Sequence, residues 1–162
     1  MILFEQAQQI VLENAGRTGT VRVDLSEAAG RVLAEDIISD IDVPPFDKSA
    51  VDGFACRKAD LKKDLRSRET IAAGAVPKHD LAPGDCSKIM TGAMVPPGAD
   101  TVIMVEDTEE YIAGMIRFNG EKTLSNICLR AEHIRTGEKV LGAGTLVRPQ
   151  DVAGLASVGA SS

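Results

Sequence analysis

The stretch Pro44-Pro45-Phe46-Asp47-Lys48-Ser49-Ala50-Val51-Asp52-Gly53-Phe54-Ala55-Cys56-Arg57 decides how the chain is divided. Proline has no amide proton to donate and restrains the residue before it, so neither a helix nor a central strand runs through Val43-Pro44-Pro45. A domain boundary is placed there. Directly after it, residues 47–52 gather two carboxylates, a hydroxyl and an amine. Carboxylates in a loop accept protons or hold Mg²⁺ through water, and Lys48 can meet a phosphate. Asp52-Gly53 is equally a hairpin-turn dipeptide. The residues by themselves leave turn and site both open.

Working outward, residues 3–11 carry Leu3, Ala7, Ile10 and Val11 at helical spacing, with Gly16 as a stop. Residues 20–25 alternate and predict a half-buried strand; Ser26 then caps a single turn ending at Gly30. Residues 31–38 read as extended. On the other side of the double proline, residues 51–57 read as strand or loop, 59–65 as a short charged helix and 70–73 as a strand. A turn-rich stretch, 77–84, follows. Cys86 to Met90 and Thr101 to Glu106 are apolar runs, and Val102-Ile103-Met104-Val105 predicts a strand buried on both faces. Such an apolar edge, left uncovered, is an association hazard. Residues 111–118, with Gly114 inside, read as a hairpin. Residues 137–148 alternate again, and Pro149 opens a last short helix as its first residue. The expected fold is mainly β to α+β: two small modules of irregular sheets with a few short helices.

Composition bounds the function. The chain has 162 residues, 44% apolar and 26% charged, with four Phe, one Tyr and no Trp. So few aromatics leave little to stack on bases, and a net charge of −6 repels a phosphate backbone. No nucleic acid partner is expected. One stretch departs from this balance. Residues 57–69 hold six basic and three acidic side chains, a local +3 that reads as a solvated face or a small anion-attracting rim. Cys56, Cys86 and Cys128 show no CxxC or Cys/His ligand spacing, so a structural zinc site is not expected. No basic leader or membrane-length apolar run is present, which predicts a cytoplasmic protein without membrane contact.

Two further stretches carry candidate chemistry. Met90-Thr91-Gly92-Ala93-Met94-Val95-Pro96-Pro97-Gly98-Ala99-Asp100 offers a hydroxyl beside glycine, where a backbone can approach a ligand closely. It contains neither a Walker loop nor a GxGxxG, and it also reads as two turns between strands. In Asn126-Ile127-Cys128-Leu129-Arg130-Ala131-Glu132-His133, Arg130 can grip a phosphate or pair with a neighbouring carboxylate such as Glu132. His133 and His79 lack metal-ligand neighbours in sequence. Met90, Met94 and Met104 read as core filler, and residues 106–110 as a solvated acidic turn.

Taken together and in order, these stretches resemble the MoeA family of molybdopterin molybdenumtransferases, to which the carboxy-terminal domain of gephyrin also belongs. Residues 44–57 are similar to its signature loop. Ile89-Met90-Thr91-Gly92-Ala93 through Pro96, Gly98-Ala99-Asp100 and Glu106 resemble its second signature. Gly30-Arg31-Val32-Leu33-Ala34 with Asp36, Asn126-Ile127 with Arg130 and Glu132, and residues 154–159 also fit.

The resemblance implies the last step of molybdenum cofactor synthesis: molybdate is inserted into adenylylated molybdopterin with Mg²⁺, and AMP is released. It implies a homodimer in the full protein, in which amino-terminal loops of one subunit face the pterin pocket of the other. It implies that Asp52 and Thr91 complete the site, Asp52 by orienting Mg²⁺ or water and Thr91 by hydrogen bonding to substrate. Asp47, Ser49, Gly53, Arg57, Gly92, Arg130 and Glu132 are assigned to substrate binding or loop shaping, and no resident metal ligand is assigned. It also implies that residues 45–137 form a β-rich module inserted into one built from 1–44 plus 138–162.

Three positions depart from the family pattern: Lys48 for Asn, Ala131 for Gly and His133 for Asp. Lys48 adds charge beside the expected site. Ala131 argues against a backbone angle open only to glycine. The family runs on into a pocket-bearing α/β domain where this sequence reaches Ala160-Ser161-Ser162, so the isolated chain is expected to be inactive. The alternatives are a non-catalytic scaffolding module of the same fold, and a phosphoesterase using Asp47, Asp52 and Glu106 around a metal.

Overall fold

The structure is a computed structural model and describes residues 2–16 and 18–160. The chain end at Ser161-Ser162 lies outside the described residues. The order is α1 (Phe4–Asn14), β1 (Ile37–Ile38), β2 (Lys48–Ser49), β3 (Gly53–Cys56), β4 (Leu65–Ile71), β5 (Asp85–Ile89), β6 (Thr101–Met104), β7 (Thr108–Ile112), β8 (Met115–Phe118), β9 (Ile127–Cys128), β10 (Lys139–Leu141) and α2 (Pro149–Ser157). Six strands form one mixed sheet in the order β6-β3-β5-β4-β8-β7, in which only the β4–β5 pair is parallel. The expectation of a mainly β fold with a few short helices holds.

β3 lies inside this sheet, and all four of its residues are buried. Strand alternation sends Phe54 and Cys56 to one face and Ala55 to the other. Phe54 and Cys56 join Leu65, Cys86, Ile103 and Ile116, while Ala55 joins Ile71, Leu81, Ile89, Ala93 and Val102. Both faces are therefore buried, the Ala55 face under aliphatic side chains and the other under aliphatic side chains with Phe54 and the two thiols. Gly53 is fixed by close approach: a Cβ there would stand 1.9 Å from the Ile103 carbonyl oxygen.

The outer edge of β6 is engaged at its start. Val102 N donates to the Ser125 carbonyl, Asn126 Nδ2 donates to the Val102 carbonyl, and Thr101 Oγ1 donates to that of Leu124. The start of the apolar edge, at Thr101 and Val102, is thus covered by its own chain, while Met104 and Val105 are exposed. Away from the large sheet, segments 32–43 and 134–146 run antiparallel. Val32 bridges Leu146, β1 pairs with β10, and Val43 bridges Ile134. α2 buries Leu155 and is followed by the buried Val158; it packs beside the 3-10 turn Leu25–Glu27.

Several local expectations change. Residues 20–25 form no strand: Val21 is 68% exposed, no neighbouring strand takes the segment's amides, and Leu25 enters the 3-10 turn. The expected helix at 59–65 is only a 3-10 turn, Lys58–Asp60. Asp60 is buried there, accepting from Gly84 N and Lys63 Nζ, and Leu65 is drawn into the core as the start of β4. That strand ends at Ile71, earlier than Ala73. Burial on both faces of the 102–105 run stops at Ile103, because Met104 and Val105 are exposed and Val105 begins a 3-10 turn. The hairpin β7–β8 and the helices α1 and α2 form where the sequence places them, although α1 buries no residue.

Candidate functional site

The three chemically suggestive stretches of sequence converge. β2 pairs with β9, so Lys48 faces Cys128 and Ser49 faces Ile127; Ala50 N donates to the Asn126 carbonyl. On the other side the loop is bonded to the Gly92 turn. Val95 N donates to the Asp47 carbonyl, Ser49 N to that of Ala93, and Gly92 N to that of Ser49. Gly92 has φ 81, a left-handed angle at which glycine lacks the steric cost of a side chain.

This ladder brings Asp52 against Thr91. Both the backbone N–H and the hydroxyl of Thr91 donate to Asp52 Oδ1, at 2.7 and 2.6 Å. The two bonds, the hydroxyl's first, hold the carboxyl below its usual value of 3.8, so Asp52 is an anion at neutral pH. Both residues are exposed. Among the described residues no donor meets Asp52 Oδ2, which leaves it open to a ligand.

The remaining assigned residues surround or support this pair. Ser49 is fully buried, and its hydroxyl donates to the Val51 carbonyl at 2.6 Å. Asp47 Oδ1 accepts from Arg130 N at 2.7 Å, linking the loop to the β9 turn. The Arg130 guanidinium is engaged by Asp42 at 2.6 Å, not by Glu132. Glu132 Oε2 accepts from Leu129 N. Its carboxyl is held low by the Cys128 thiol first and by Leu129 N next, with His133 and Lys48 adding charge. Cys128 Sγ lies 3.8 Å from His133 Nε2, and the bond to Glu132 pushes its thiol up. Arg57 stands apart. It follows the other end of β3, about 16 Å along the strand from Asp52, and is 3.9 Å from Asp60.

Ala131 adopts a left-handed angle, φ 58, which residues other than glycine also reach at a cost, in keeping with the expectation that the angle is not open only to glycine. One alternative reading of this region needs revision. The three-carboxylate centre of the phosphoesterase reading is not built. Asp47 is turned to Arg130 and Asp52 to Thr91. Among the described residues no group of three His, Cys, Asp or Glu side chains could hold a metal ion.

Asp42 was not singled out by sequence. It accepts from Thr136 N, Thr136 Oγ1 and Arg130 Nε, and these bonds, the Thr136 amide's first, lower its pKa. No local pattern announces it, since its partners lie 88 and 94 residues away.

Comparison with known proteins finds relatives over nearly the whole chain. Residues 2–159 match the family described as "MoeA N-terminal region (domain I and II)". A molybdopterin molybdenumtransferase of Haemophilus influenzae is 39% identical over 98% of this chain and 40% of its own length. One from Staphylococcus epidermidis is 33% identical, with 98% and 39% covered. The crystal structure of a molybdopterin biosynthesis moeA protein from Pyrococcus horikoshii superposes with a TM-score of 0.90 at 36% identity, covering 99% of this chain and 45% of that one. The chain thus spans about two fifths of the length of the curated relatives it matches.

Proposed function

This chain belongs to the MoeA family, as its N-terminal region, and from that membership we propose that its Asp52–Thr91 pair faces the substrate when molybdate is inserted into adenylylated molybdopterin and AMP is released. The observation that carries the proposal is the double bond-donation of Thr91 to a single oxygen of Asp52. It fixes an exposed, ionised carboxylate on the hydrogen-bonded ladder, with both Thr91 donors on one oxygen.

Such a group can orient a water or steady a substrate hydroxyl. Mg²⁺ is commonly held by one or two carboxylates together with substrate phosphates, and one exposed carboxylate fits that shared arrangement. When bound, the ion neutralises charge developing on the phosphoanhydride. Gly92 keeps a side chain away from the turn, and Asp47, Ser49, Arg130 and Glu132 hold the loops in register. The rest of the pocket comes from the part of the family protein beyond the matched region. We read that pocket as belonging to the partner subunit of a homodimer, so this chain by itself does not turn over.

The test uses a full-length protein carrying these residues. Thr91→Ala removes one of the two donors and is expected to slow molybdenum insertion roughly 10-fold or more, whereas Thr91→Ser keeps both donors and most of the rate. Equal rates for Thr91→Ala and the parent would contradict the assignment.

A further inference from the structure

The basic segment 57–69 contributes to a concavity that the Asp52–Thr91 site does not use. Lys58, Leu61 and Lys62 from this segment meet Phe118 and residues 120–123 around a half-open space of about 530 Å³. Three lysines line it, Lys58, Lys62 and Lys122, against one carboxylate, Glu121. Among the described residues none of the three lysines has an ion-pair partner, while neighbouring Lys63 is committed to Asp60 at 2.6 Å. A chain of net charge −6 thus gathers unpaired positive charge in one place.

The wall is apolar. Leu61 and Phe118 are partly buried against the core cluster of Phe54 and Ile116, so the concavity has a hydrophobic floor. Gly120 makes room for the ring, since a Cβ there would lie 2.6 Å from Phe118 Cζ. The frame is tied on both sides. Lys58 N donates to Asp100 Oδ1 at 2.6 Å, and Thr123 Oγ1 donates to the Leu124 carbonyl while accepting from Asn126 Nδ2.

We propose that this concavity docks an acidic peptide segment of a partner protein, with an aromatic or aliphatic side chain on the Leu61–Phe118 floor and carboxylates against Lys58, Lys62 and Lys122. Lysines on long stems are separate point charges, suited to carboxylates spaced along a chain. Among the described residues no arginine fork lines the concavity to favour the compact tetrahedral geometry of a phosphate.

Fluorescence anisotropy with the 162-residue chain and a fluorescein-labelled peptide, Asp-Glu-Phe-Glu-Asp, tests this. The peptide is expected to bind, and replacing its Phe with Ala should weaken it roughly fivefold. A Lys58→Glu/Lys62→Glu variant is expected to weaken it about tenfold, while Arg22→Glu/Arg135→Glu, of equal net charge, leaves it unchanged. In Gly120→Ala the ring is displaced, so the difference between the Phe and Ala peptides should shrink. No binding by the unaltered chain overturns the proposal. So does equal weakening in the two double variants. Tighter binding of tripolyphosphate or oligouridylate at the same lysines overturns it too, by assigning them to phosphate.

Discussion

At the scale of single residues, the site rests on hydrogen bonds that shift carboxylates downward. Thr91 lowers Asp52, Thr136 and Arg130 lower Asp42, and Ala143 and Lys139 lower Asp36. A depressed folded-state pKa stabilises the fold above the ordinary value of 3.8, and that contribution disappears as pH falls through the lowered one. Urea midpoints should therefore be flat near neutrality and drop below about pH 4, with a smaller drop in Asp42→Asn. Cys56 and Cys86 act at the other end. Burial pushes both thiols from 9.0 to about 12, so stability is full below 9.0 and declines as pH rises toward 12. Ala131 offers a third test. Its φ of 58 is strained for a side chain, and Ala131→Gly is expected to raise stability by about 1 kcal/mol in urea denaturation. Alanine there spoke only against an angle closed to every residue but glycine, and the sign of its φ was not legible in the sequence. The proximity of Asp52 and Thr91 was likewise hidden, because 39 residues separate them and neither spacing nor composition brings them together. Resemblance alone put them in one site.

At the scale of elements, legibility followed how local the deciding interactions are. α1, α2 and the β7–β8 hairpin were readable because apolar spacing, Pro149 at a helix start and Gly114 in a turn act within a few residues. β4 was misread as a helix followed by a short strand because its charged residues alternate only once Leu65 and Ile71 are seen to be buried. Residues 20–25 alternate in the same way but lack a partner strand, and alternation without a partner gives no strand. β3 places the sharpest demand. Gly53 has β6 backbone where a Cβ would be, so Gly53→Ala must push two strands apart. A loss of about 2–3 kcal/mol or more is expected in urea denaturation. A loss below 0.5 kcal/mol would mean that the strands separate freely there.

At the scale of the whole molecule, the antiparallel run of 32–43 against 134–146 joins the two ends of the sequence, and the six-stranded sheet is built from residues between them. We read the ends as one module and residues 45–137 as an insertion within it. Hydrogen exchange should then protect β1 and β10 as a pair, with a free energy distinct from that of β3, β5 and β6. One shared value across all five strands would contradict the division. Among the described residues no helix is long and apolar enough to cross a membrane. The ladder that seats Asp52 is formed by loops at residues 47–52 and 90–95, both within the proposed insertion. The most direct test of the account is therefore the rate of molybdenum insertion into adenylylated molybdopterin by a full-length protein with Asp52→Asn. The expected result is a roughly 10- to 100-fold slower rate at a temperature where the variant stays folded; a rate equal to that of the parent would contradict it.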